Sequence, residues 1–221
     1  MIAVAVLVVA KAPVPGLAKT RLAASIGVRA AAEVAAAALL DTLDAVAGAP
    51  VAARVVAMTG DLEAAARSAE IRSRLAEFTV IEQRGEDFAD RLANAHADAA
   101  VAVHGLPILQ IGMDTPQVTA DLIAQCASTL CRVGAVLGMA RDGGWWVLGV
   151  HDAATAQCLR EVPMSQPDTG AVTLRALQHA GVDVKLVDEL ADVDTLDDVA
   201  VVRRACPPGS RFHKITLAEG V

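Results

Sequence analysis

The sequence predicts a doubly wound α/β domain with a mostly parallel sheet. Three observations carry that prediction. Continuous aliphatic runs of five to eight residues recur along the chain, helix-like stretches lie between them, and the two kinds alternate without an internal repeat, linker or low-complexity segment. Runs that are apolar at successive positions suit strands covered on both faces.

The elements can be justified in order. Strand-like runs are read at 2–9 (IAVAVLVV), 51–58 (VAARVVAM), 106–112 (LPILQIG), 133–140 (VGAVLGMA), 145–150 (WWVLGV) and 183–188 (DVKLVD), with a weaker one at 78–83 (FTVIEQ). Between the first two lies 28–48, rich in Ala and Leu and ending at Gly48, a residue suited to a helix C-cap. Residues 87–105 also read as helix and end at Gly105. Thr119 suits the N-cap of a helix over 120–130, Thr169 that of one over 170–181, and Thr195 that of one over 196–205. Beyond Pro207-Pro208-Gly209 no period is visible. The expected organisation is therefore one domain over 1–204 and a loose tail or arm over 205–221.

Composition bounds the function. A chain of 221 residues has room for a real core, and with 54% apolar but only 2% aromatic residues that core must be aliphatic. A net charge of -7 argues against a nucleic-acid surface, which needs a basic stripe. It leaves nucleotides open, since these need only a few local cations. None of the four cysteines lies in a C-x-x-C or at zinc spacing, so they read as reduced thiols of a cytoplasmic protein. No apolar run approaches the ~18 residues of a membrane span. The apolar N-terminus lacks the basic segment that opens a signal peptide, so it reads as a buried first strand. The oligomeric state is not set by composition.

In doubly wound sheets ligands bind beyond the carboxyl ends of the strands. The first such place is 11–23, KAPVPGLAKTRLA. It is not a Walker A loop, because two residues separate Gly16 from Lys19, and it is not G-x-G-x-x-G. Lys11, Lys19 and Arg21 nonetheless cluster there, and a helix could begin near Thr20. Cations beside helix N–H groups make an anion site; the competing reading is a solvated basic loop.

Asp114, directly after the run at 106–112, is placed to hold Mg²⁺, which takes one or two carboxylates together with waters and phosphates. It could equally be a turn aspartate before Pro116. Asp142-Gly143-Gly144 forms a tight turn whose glycines let a ligand approach the backbone. The following Trp145 and Trp146 fall on opposite faces of a strand, at least one of them in the core. Asp192 and Asp194 flank Val193, so in an extended segment both carboxylates point the same way and repel unless a cation lies between them. The other reading is acidic residues around a Thr195 cap, as expected for Asp197 and Asp198. Gly85 breaks the chain between a strand and a helix, and Arg84 and Arg91 beside it are either phosphate ligands or surface charges. The five histidines pair with no nucleophile pattern and receive no role.

Taken together, Pro13-x-Pro15-Gly16-x-x-Lys19-Thr20-Arg21-Leu22, Gln83-x-Gly85-x-Asp87 with Arg91, Gly112-x-Asp114-x-Pro116, Asp142-Gly143-Gly144 and Asp192-Val193-Asp194-Thr195 resemble, in this order, a bacterial glycosyltransferase-A-like family of nucleotide-diphospho-sugar transferases, some linked to arsenosugar biosynthesis. The resemblance spans residues 1 to about 204. It implies a Rossmann-like fold with a seven-stranded mixed sheet. The K-T-R-L and D-x-D-T elements also resemble 2-phospholactate guanylyltransferases and, more distantly, molybdenum-cofactor guanylyltransferases. Met113, Arg84 and the Trp145-Trp146 pair depart from the family pattern, which bears on acceptor choice more than on metal binding.

The expectation is thus a transferase dependent on Mg²⁺ or Mn²⁺, acting on a nucleotide-sugar with a small-molecule acceptor. Lys11, Gly16, Lys19, Thr20, Arg21, Gln83, Gly85 and Arg91 would form the nucleotide side. Asp142, Gly143 and Gly144 would form the acceptor side. Asp114, Asp192 and Asp194 would hold the metal, with Asp114, Lys19 and Arg21 as the catalytic set. The alternatives are nucleotidyl transfer, as in a 2-phospholactate-type guanylyltransferase, and a non-catalytic nucleotide-binding protein on the same fold.

Overall fold

A computed structural model describes residues 1–221. Seven strands form one sheet: β1 (Ile2–Lys11), β2 (Val51–Thr59), β3 (Thr79–Glu82), β4 (Ile108–Gly112), β5 (Ala135–Ala140), β6 (Trp145–Val150) and β7 (Val184–Leu190). Their order is β3-β2-β1-β4-β6-β5-β7. All pairings are parallel except those of β6, which runs antiparallel to both β4 and β5. The sheet is therefore mixed, and six strands present their carboxyl ends to one edge. Because β6 is reversed, the turn from β5 into β6 opens on that same edge.

The helices are α1 (Thr20–Ile26), α2 (Val28–Gly48), α3 (Ser68–Leu75), α4 (Phe88–Ala102), α5 (Ala120–Leu130), α6 (Thr169–His179), α7 (Leu196–Ala205) and α8 (Arg211–Ala218), with a 3-10 segment over Ala153–Glu161. β1 shows how the layers assemble. Val4, Val6, Val8 and Ala10 face a core shared with α2, α3 and α5, while Ala5, Leu7 and Val9 face one shared with α4, α6 and the 3-10 segment. Alternate side chains point to opposite faces, so a continuous aliphatic run feeds two cores at once. Removing a fully buried leucine such as Leu7 costs about 2–5 kcal/mol.

Several boundaries differ from expectation for local reasons. Gly48 is the last residue of α2 and Ala49 is its C-cap. Thr169 does not cap α6; Asp168 holds that position, and the buried Thr169 hydroxyl donates to the Pro163 carbonyl. Thr119 caps α5 as expected, accepting the Leu122 N–H at 3.2 Å. Thr195 begins α7 with Asp198, whose carboxylate accepts from both the Thr195 N–H and hydroxyl.

Residues after Pro207 are not loose. α8 packs on α2, and Phe212 is completely buried with Leu22, Val34 and Val199. Asp41 of α2 accepts the backbone N–H groups of Arg211 and Phe212, satisfying the start of α8. Arg211 is held by Asp41, Asp44 and Glu70. No helix is long and apolar enough to cross a membrane.

Candidate active site

β1 and β4 are neighbours whose connections leave in opposite directions, since β2 follows β1 on one side and β6 flanks β4 on the other. This is the switch point of the sheet, where a crevice opens beyond the strand ends. The loop after β1 and the loop after β4 meet across it. Lys19 Nζ donates to Asp114 Oδ2 at 2.7 Å, in a pair whose lysine side chain is only 13% exposed. Lys19 is held in the left-handed region (φ 47°), unusual for a residue with a side chain. Gly112 explains the position of Asp114: a Cβ at 112 would lie 2.8 Å from Asp114 Oδ1.

The loop after β7 joins the same place. The Val193 N–H donates to the Asp114 carbonyl at 3.1 Å, and Gln117 Nε2 donates to the Ala191 carbonyl at 2.5 Å. Val193 is buried beneath the loop, so Asp192 and Asp194 flank an anchored residue. Arg21, largely exposed on α1, donates to Asp194 Oδ2 at 2.5 Å.

Asp142 reaches the cluster from the turn between β5 and β6, where its Oδ1 accepts the Gly144 N–H at 2.8 Å. Gly143 (φ 92°) is required: a Cβ there would sit 1.8 Å from the Pro167 carbonyl oxygen. Gly143 therefore serves close packing against the 163–170 loop, in addition to any ligand approach.

The electrostatics follow from this crowding. Burial, then the charges of Asp114 and Asp142, push the Asp192 carboxyl up to about 6, against a lowering by Lys19. For Lys19, burial would lower its pKa, but the charge and hydrogen bond of Asp114, with Asp194 and Asp192 behind them, raise it on balance. Four carboxylates thus face two cations, leaving two negative charges uncompensated. No three acidic, histidine or cysteine side chains, the expected Asp114, Asp192 and Asp194 included, are grouped so as to hold a metal ion between them. The donor set nonetheless fits a hard divalent ion. Asp114 and Asp192 are oxygen donors, the first close enough to disfavour the charge of the second, and Mg²⁺ takes one or two carboxylates and completes its shell with water and phosphate.

The expected nucleotide-side residues separate into those that face this cluster and those that shape the loops. Lys19 and Arg21 belong to the cluster. Lys11 folds its ammonium back onto the Leu17 carbonyl at 2.9 Å, closing the opening loop on itself. Gly16 supplies a positive φ of 82° in that loop, and Thr20 is the exposed first residue of α1. Gln83 spends both amide hydrogens on the carbonyls of Ala10 (2.7 Å) and Ala57 (2.8 Å), tying the ends of β1 and β2. Gly85 (φ 142°) packs against Asp90 and Arg91, where a Cβ would meet atoms at 2.8 Å. Arg84 makes a bidentate pair with Asp98 on the surface. Arg91 differs from the other site-edge cations. Its Nε is buried without a partner, no carboxylate pairs with it, and its guanidinium lies 5.8 Å from the centroid of the Phe88 ring.

Sequence reasoning missed Gln117, and saw in Met113 a departure from the family pattern but not its contact. The Met113 sulfur accepts the Lys11 backbone N–H at 3.1 Å, linking the loops after β1 and β4. Neither residue type signals such a role by itself; each becomes legible only once the strand order makes its loop a neighbour. Trp146 is core and its indole N–H donates to the Asp188 carbonyl, while Trp145 is half-buried on the other face.

The fold is that of the nucleotide-diphospho-sugar transferase type, an α/β domain around a mixed seven-stranded sheet. The chain belongs to the family described as "Uncharacterized protein conserved in bacteria (DUF2064)", whose model matches residues 42–166. That match holds the Asp114 and Asp142 loops but not the opening loop or Asp192 and Asp194. No curated protein matches the chain in sequence. Among solved structures, a protein from Desulfovibrio desulfuricans G20, provisionally described as a nucleotide-diphospho-sugar transferase, superposes with a TM-score of 0.85 at 22% identity, over 100% of this chain and 96% of that one. A 4-diphosphocytidyl-2C-methyl-D-erythritol synthase from Anaerococcus prevotii DSM 20548 gives 0.60 at 13% identity, over 90% and 93%. Rv0371c from Mycobacterium tuberculosis H37Rv, solved in complex with manganese, gives 0.55 at 19%, over 90% and 97%.

Proposed function

We propose that the protein is a divalent-metal-dependent transferase that takes a nucleotide-sugar donor and a small-molecule acceptor. The observation that carries this reading is the charge cluster at the switch point: four carboxylates, two cations and two uncompensated negative charges, the deficit that one Mg²⁺ or Mn²⁺ would meet. Asp114 and Asp192 would hold the ion, with Asp194 beside them. The ion would stabilise charge developing on the donor phosphates. Lys19 and Arg21 would bind phosphate oxygens, and Arg91, whose guanidinium is unpaired, would bind the nucleotide from the β3 side. Asp142 and the glycine turn would border the acceptor. The manganese complex of Rv0371c supports a divalent ion on this fold, and the D. desulfuricans relative supports a nucleotide-sugar.

A second reading is nucleotidyl transfer, in which an acceptor phosphate oxygen attacks the α-phosphorus of a nucleoside triphosphate and pyrophosphate leaves. It is favoured by the name of the A. prevotii neighbour, a 4-diphosphocytidyl-2C-methyl-D-erythritol synthase, and by Lys19 and Arg21, two cations from one short piece of chain that would bind a leaving diphosphate. Product analysis separates the two. Release of nucleoside diphosphate from a nucleotide-sugar supports glycosyl transfer, whereas pyrophosphate from a triphosphate supports the second reading. An Asp114→Ala protein that keeps wild-type metal-dependent nucleotide binding contradicts the metal site in both.

A further inference from the structure

The acids at the switch point are engaged by cations of the chain itself. Lys19 bonds Asp114 at 2.7 Å, and Arg21 bonds Asp194 at 2.5 Å. Both cations come from one short piece of chain, the end of the opening loop and the first turn of α1, and both acids come from loops clasped together by the Val193 and Gln117 hydrogen bonds. The two pairs therefore bridge the same two bodies. They place positive charge on the carboxylate oxygens that a metal ion would need.

We infer that Lys19 and Arg21 form an internal counter-ion gate: they hold Asp114 and Asp194 closed to a divalent ion until a diphosphate-bearing ligand draws the cations away. This rests on the functional reading above and adds a rule to it. Metal ion and Lys19 compete for Asp114 Oδ2. A phosphate group offers Lys19 an alternative anion and so relieves that competition. Metal and diphosphate consequently bind with strong positive coupling, and each binds poorly alone. The side chains do not contribute equally. Lys19 is nearly buried and fixed by its left-handed backbone, so it is the principal bar, while the exposed Arg21 is a lesser one.

The gate makes a prediction opposite to that of a simple phosphate lysine. Mn²⁺ binding is measured by the paramagnetic resonance signal of free Mn²⁺, with the protein alone and with inorganic pyrophosphate, for wild type, Lys19→Met, Arg21→Gln and Asp114→Asn. Lys19→Met should tighten Mn²⁺ binding in the absence of pyrophosphate by about tenfold or more, within the usual span of coupling between sites. It should also abolish the tightening that pyrophosphate gives to wild type. Arg21→Gln should tighten Mn²⁺ by up to about fivefold, as for release of an exposed pair, and its surface position keeps the test independent of any folding defect at Lys19. Asp114→Asn should lose the site. Equal or weaker Mn²⁺ binding by both cation variants, with Asp114-dependent binding intact in wild type, overturns the gate and leaves the functional reading standing. No Mn²⁺ binding by any of the four, with or without pyrophosphate, overturns both.

Discussion

Val193 donates its backbone N–H to the carbonyl oxygen of Asp114 at 3.1 Å, although the two lie on loops far apart in sequence. That bond fixes where Asp192 and Asp194 stand relative to Asp114. The carboxylates cluster because the backbone holds them there, at an electrostatic cost that the free protein bears.

The cost can be read as stability. Asp192 is held above its ordinary carboxylate range by burial and by Asp114 and Asp142, so its charge disfavours the folded state. Asp192→Asn should stabilise the protein at pH 7 by about 1–2 kcal/mol, allowing for partial solvent screening, and raise Tm by a few degrees. The same variant should bind Mn²⁺ at least about tenfold more weakly than wild type. Calorimetric melting and metal titration of one preparation check both halves.

Arg91 has no carboxylate partner and contributes no ion pair to the fold. Arg91→Leu should leave Tm within about 1 °C of wild type yet weaken nucleotide binding about 10–100-fold, the worth of a charge-assisted hydrogen bond. Isothermal titration with the nucleotide that stabilises wild type checks this. An unchanged affinity would assign Arg91 to the surface of α4.

Gln83 ties the carbonyls of Ala10 and Ala57 at the ends of β1 and β2. Gln83→Leu leaves two carbonyls without their donor and should cost about 1–3 kcal/mol in urea unfolding. Its effect on nucleotide affinity should follow from displacement of the opening loop, and so appear with every nucleotide alike.

His96 gives the clearest pH dependence. It is fully buried on α4, and burial holds its pKa near 4, against a raising effect of the neighbouring Gln110 side chain. Above the ordinary value of 6.5 the ring is neutral in both folded and unfolded chains. Between 6.5 and about 4 the unfolded chain takes up a proton that the folded one refuses, so stability falls with falling pH, by about 1.4 kcal/mol per unit. Asp192, raised to about 6, contributes in the opposite sense over part of this window, so the slope is read as the difference between wild type and His96→Leu in urea unfolding at pH 7, 6 and 5.

Much of this was legible in the sequence because the relevant physics is local. An aliphatic run such as 2–9 can only be a strand covered on both sides, and Thr119 before an amphipathic stretch can only open a helix economically. That Lys19, Asp114, Asp192 and Asp194 gather beyond the strand ends was legible for the same reason, since a doubly wound sheet brings the loops after its strands to one edge. What escaped depended on partners distant in sequence. α8 is only eight residues long, and beyond its local Ser210 cap it is fixed by Asp41, which receives the N–H groups of Arg211 and Phe212, and by Phe212, which fills a pocket over α2. The engagement of Lys19 with Asp114 and of Arg21 with Asp194 was likewise invisible, because charge type shows that acids and bases are near a site but not which of them pair.

The central claim is that this cluster binds a nucleotide together with a divalent ion. Its most direct test is the melting temperature of the wild-type protein across a panel of nucleoside triphosphates and nucleotide-sugars, each with and without Mg²⁺ or Mn²⁺. Ligand at 100 times its Kd stabilises the folded state by about 2.7 kcal/mol. The account predicts that at least one nucleotide raises Tm by several degrees only when the metal is present, and that Asp114→Ala removes the shift. A panel in which no nucleotide shifts Tm, or in which the shift is the same without metal and in Asp114→Ala, would contradict it.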